Sequence, residues 1–122
     1  GILTRSELSA ELTAALRLLR EHAFLRYVPS GAAEYEEKVR TACGMFASAV
    51  SRAAGAPVPN PYPAATIDGL GATGPDAGVR AARRVAAALA KASAANPGSD
   101  RLRRAADAWR RASEALYAAS RA

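Results

Sequence analysis

Residues 99–121 read SDRLRRAADAWRRASEALYAASR. Within them Leu102, Ala105, Trp109, Ala112 and Leu116 recur at steps of three and four. That spacing puts all five on one side of an α-helix, as the seam of a helical bundle requires. Ser99 or Asp100 stands where an N-cap is wanted, so a helix is predicted over 100–121. Upstream, Asn96-Pro97-Gly98 breaks the chain. Before that break Val79, Ala82, Ala86 and Leu89 form the apolar face of a helix expected over 76–95. Thr73 or Gly74 is its expected cap, with Pro75 near the first turn.

The first half of the chain carries two longer stripes. Leu8, Leu12, Leu16, Leu19 and Ala23 predict a helix over 5–27, opened by a Thr4-to-Glu7 capping box. Pro29-Ser30-Gly31 stops it. Tyr35, Val39, Ala42, Phe46, Ala49 and Ala53 predict a second helix over 32–54. Glu34 with Lys38, and Glu36 with Arg40, are spaced for i,i+4 ion pairs on it. The connection between these helices is short, which favours an antiparallel hairpin. Residues 55–75 differ in character: five of the seven prolines lie here, four of them alternating through Pro57, Pro59, Pro61 and Pro63. The first part is expected to be extended and polyproline-like, the second looped, with Val58, Tyr62, Ile67 and Leu70 docking on the bundle. The expected fold is therefore all-α. It is one domain over 1–122, a four-helix bundle of two helical hairpins joined by a long Pro/Gly-rich loop.

Composition limits the core. Of 122 residues 33 are Ala, against eleven Leu, two Ile, six Val, two Phe, one Trp and one Met. Ala favours helix but buries little area. Helices must then approach closely through Ala faces, or a partner must complete the surface.

Several chemistries lack their residues. One His and one Cys cannot build a zinc cluster, a pair of Glu-x-x-His motifs or a c-type haem attachment. His22 and Met45 fall about 12 Å apart along a hairpin turning at 29–30, too far to share one haem iron. Phosphate-binding loops are missing, and the Gly-rich run 69–74 follows no strand. Cys43 sits in the apolar run 42–46 and reads as a small buried hydrophobe. No cofactor is expected. No apolar run reaches the length of a membrane span. Cytoplasm is the default expectation for location, left open by the start at Gly1, which processing could explain.

One short motif points to chemistry. Arg17-Leu18-Leu19-Arg20-Glu21-His22 is an Arg-x4-His, with Phe24 two residues on. It resembles the Arg-x4-6-His motif of the HEPN family of helical ribonucleases. That resemblance implies Arg17 and His22 as a catalytic pair acting across a dimer.

Charge is distributed unevenly. Residues 1–74 hold seven basic and seven acidic residues, and residues 75–122 hold ten and four. The second half thus carries the whole net charge of +6. Arg80, Arg84 and Lys91 share one stripe of the third helix, with Arg83 beside it. On the fourth, Arg103 aligns with Arg110, and Arg104 with Arg111. Asp107 is the expected partner of Arg103, and Glu114 that of Arg110. Such a face suits an acidic protein surface, or phosphates. The primary expectation is a non-catalytic interaction or assembly module. It would meet another protein through these residues and Tyr62, as part of a larger complex or as a homo-oligomer. The second is a sequence-independent nucleic-acid-binding subunit using the same cations. The third is the HEPN-like ribonuclease.

Overall fold

A computed structural model describes residues 6, 7, 10, 12–14, 17, 32–64 and 76–121. Among the described residues the architecture is all-helical, with four helices and no strand. The described N-terminal positions 6, 7, 10, 12–14 and 17 are helical and belong to α1. The others are α2 (Ala32–Ala54), α3 (Ala77–Ala95) and α4 (Asp100–Ser120). The Thr4 cap, most of the first stripe, the turn at 29–31 and loop residues 65–75 lie outside the described residues, as does the Tyr35 side chain.

Each boundary has a local cause. At the end of α2, Gly55 takes φ 68°, and the Ala56 N–H donates to the Ser51 carbonyl at 3.2 Å. This 6→1 bond is the Schellman closure, and its left-handed residue favours glycine. α3 starts later than expected. Its N-cap is Asp76, whose side chain accepts no capping bond, so Thr73 and Gly74 are not the cap. At its other end the Asn96 amide donates to the Ala92 carbonyl at 2.8 Å. α4 opens as predicted on Ser99, whose hydroxyl accepts the Leu102 N–H at 3.2 Å.

α4 is the element on which both α3 and α2 pack, α3 more extensively. Trp109 and Leu116 on α4 are fully buried. The Trp109 ring lies over Phe46 of α2, centroids 6.1 Å apart and planes 22° from parallel. Around this pair close Val39, Cys43 and Val50 from α2, with Val79, Val85 and Leu89 from α3. Burying each of these larger side chains contributes roughly 1.5–3 kcal/mol. Ala42, Ala49, Ala81, Ala82 and Ala112 fill the spaces between them. Two helices approach closely at Gly78. A Cβ there would stand 2.9 Å from Leu12 Cδ1 and nearer still to its Cβ, so only glycine lets α1 cross α3 at this point.

Candidate functional site

The Pro-rich segment returns along α2 in the opposite direction, held by a ladder of bonds. Val58 N–H donates to Ser51 Oγ at 2.9 Å. Two residues on, the Asn60 amide donates to the Arg40 carbonyl at 3.0 Å, and Asn60 Oδ1 accepts the Tyr62 N–H at 3.0 Å. The Arg40 guanidinium lies 5.5 Å from the centre of the Tyr62 ring. Arg40 therefore does not take the expected place opposite Glu36, whereas Glu34 and Lys38 do pair, at 3.2 Å. From the other side, Trp109 Nε1 donates to the Pro59 carbonyl at 2.8 Å. Proline lacks an N–H, so alternate residues of this segment need no donor partner. The donors of Val58 and Tyr62 are satisfied by side chains. That is how a Pro-rich stretch can lie against a bundle without a helix or sheet of its own.

Between this segment and the first turns of α4 lies an open cleft of about 600 Å³. Residues 59–64 form one wall. Leu89 of α3 is the floor, and Arg101, Leu102, Arg104, Ala105 and Ala108 form the other wall. Tyr62 and Arg104, both singled out from the sequence, line opposite walls of this cleft. Tyr62 is half-buried against the core. Arg101 joins Arg104 on the rim. Sequence reading missed it, although the i,i+3 spacing of 101 and 104 was its signal.

The other predicted cations divide by their partners. Arg103 pairs with Asp100 at 2.7 Å, not with Asp107. Asp107 is taken by Arg110 at 2.7 Å and Arg111 at 3.0 Å. Arg110 also reaches Glu114 at 3.4 Å. Hydrogen bonding from Arg110, with the charge of Arg111, lowers the Asp107 carboxyl below its ordinary range. Arg83 lies over the Tyr117 ring at 4.7 Å, with Arg121 on the same ring at 5.3 Å. Arg84 is also engaged. Arg80 and Lys91 are exposed on α3, which contains no acid. Among the described residues none pairs with Arg80, Lys91, Arg101 or Arg104.

Arg17 is exposed, and His22 lies outside the described residues. Cys43 is fully buried, and burial pushes its thiol up to about 11, which leaves it protonated and a poor nucleophile near neutrality. Met45 is half exposed. Among the described residues no group of three His, Cys, Asp or Glu is placed to hold a metal. No described helix is long and apolar enough to cross a membrane. Comparison with family models, curated proteins and solved structures gives no match.

Proposed function

We propose that the chain is a non-catalytic interaction module that docks an acidic surface of another protein on the exposed cations of α3. The observation that carries this reading is that Arg80 and Lys91 stand exposed on α3 without an ion pair among the described residues, whereas three of the five arginines of α4 are already held and the other two, Arg101 and Arg104, line the cleft. On α4, Arg103, Arg110 and Arg111 are held by Asp100, Asp107 and Glu114. On α3, Arg80 and Lys91 have no acid on their own helix to satisfy them. An incoming carboxylate displaces no ion pair already formed there, so complementarity is available to steer and register a partner. Arg83 is held over Tyr117 beside them, so part of the face is already ordered.

Phosphates would use the same cations, which makes a nucleic-acid-binding subunit the alternative reading. The two differ in salt response. Several phosphate contacts give a steep loss of affinity with salt. A protein partner held by two or three exposed ion pairs and some apolar area gives a shallower one. The test is Arg80→Glu combined with Lys91→Glu. Partner binding is expected to fall at least about tenfold, with helix content and thermal stability unchanged. Unchanged partner binding would rule the α3 face out.

A further inference from the structure

The cleft beside α4 has a chemistry of its own, separate from the α3 face. Its floor and walls are apolar: Leu89, Leu102, Ala105 and the ring of Pro61. Its rim carries two guanidiniums, Arg101 and Arg104, one helical turn apart. The acids nearest to them along the helix are already used, Asp100 by Arg103 and Asp107 by Arg110 and Arg111. A volume of about 600 Å³ is that of a small-molecule site. The wall is also built in advance, because residues 58–62 are tied to Ser51, Arg40 and Trp109. Binding there would not first have to order the segment.

We propose that this cleft binds a small amphipathic carboxylate. The apolar body lies on Leu89, Leu102 and Ala105, and the carboxylate takes forked hydrogen bonds from Arg101 and Arg104. Three features favour a small molecule over a macromolecule. Pro59, Pro61 and Pro63 have no N–H, and the Tyr62 N–H and the Pro59 carbonyl are already bonded. The wall therefore has little to offer a peptide backbone, which needs partners along its length. Arg40 already lies over the Tyr62 ring, which disfavours that ring as a stacking platform for a base.

The sole tryptophan reports on the site, since its indole N–H bonds to the wall residue Pro59. The probe is decanoate below its micelle concentration, titrated into the full chain against decanol and decyltrimethylammonium. Tryptophan emission and calorimetry are the readouts. Decanoate is expected to bind saturably at one site, with a dissociation constant on the order of 100 μM. The neutral and cationic analogues should bind at least about tenfold more weakly. Arg101→Gln with Arg104→Gln should weaken decanoate about tenfold and leave thermal stability unchanged. Ala108→Phe, which fills the cleft from its wall, should abolish binding. The α3 variant Arg80→Glu/Lys91→Glu should bind decanoate normally, so failure of the docking face and failure of the cleft are told apart. Equal binding of decanol, or no effect of the double Gln variant, would overturn the assignment. So would a Glu-Glu-Leu-Leu-Glu-Glu peptide that binds as tightly as decanoate.

Discussion

Trp109 and Pro59, fifty residues apart in the chain, are joined by a 2.8 Å hydrogen bond from the indole N–H to the proline carbonyl. The ring of Trp109 is completely buried against Phe46. One side chain therefore anchors the α2–α4 core and clamps the Pro-rich segment onto it. Trp109→Phe keeps an aromatic ring beside Phe46 but leaves the Pro59 carbonyl without its donor. The expected loss is about 1–3 kcal/mol in urea unfolding, and the smaller ring adds to it. A variant as stable as the parent would mean that the bond contributes nothing.

Gly78 and Leu12 test the contact between α1 and α3. Gly78→Ala forces its new methyl into the Leu12 side chain. Thermal unfolding should show a destabilisation of about 1–3 kcal/mol, despite the better helix propensity of Ala. Adding Leu12→Ala to Gly78→Ala should cost less than the sum of the two single changes, because it removes the colliding atoms. Strict additivity would contradict the crossing at this point.

Cys43 should resist alkylation at pH 7–8 in the folded protein and react at once when the chain is unfolded, as mass shift after iodoacetamide reports. Its thiol rises from 9.0 to about 11 on burial. A raised folded value means that the native state keeps its proton when the unfolded chain has lost it. Because the buried thiolate is penalised, stability is unaffected below pH 9 and falls between pH 9 and about 11, on the order of 3 kcal/mol in all. Cys43→Ala should be less sensitive than the parent to alkaline pH over that interval.

Much of this architecture was legible, and the reason is periodicity. The α2 bounds at 32 and 54 follow from a stripe ended by Gly55, and the α4 seam from Leu102 to Leu116 is the observed packing face. The α3 stripe was read too narrowly. Val85 and Ala81 are fully buried beside it, because α3 is met by Leu12 of α1 at Gly78 as well as by α4, neighbours that one helix's pattern does not display. Ion-pair partners were legible only in part. Arg103 lies within reach of Asp100 and Asp107 alike, and the competing claim of Arg110 and Arg111 on Asp107 is settled by rotamers, not spacing. The cleft was not legible at all. It depends on the Pro-rich segment turning back along α2, which Asn60, Ser51 and Trp109 secure through contacts distant in sequence.

Asp107 restrains the basic character of α4. Asp107→Asn removes the acid shared by Arg110 and Arg111. Binding of an acidic partner should then tighten by roughly two- to fivefold at low salt and by less at physiological salt. Protonation acts in the same direction. The carboxyl is held below its ordinary value of 3.8 by these arginines, so the pairing is present above that pH and is lost as pH falls through the depressed value. Weaker binding by Asp107→Asn would mean that the Asp107 cluster itself is part of the contact.

Docking on the α3 face is open to a direct test. The parent chain and Arg80→Glu/Lys91→Glu would be used side by side to capture partners from nuclease-treated extract of the source cells. The account predicts at least one protein held by the parent at physiological salt and absent from the variant, with the nuclease making no difference. Equal capture by both chains, or capture that disappears with the nucleic acid, would contradict it.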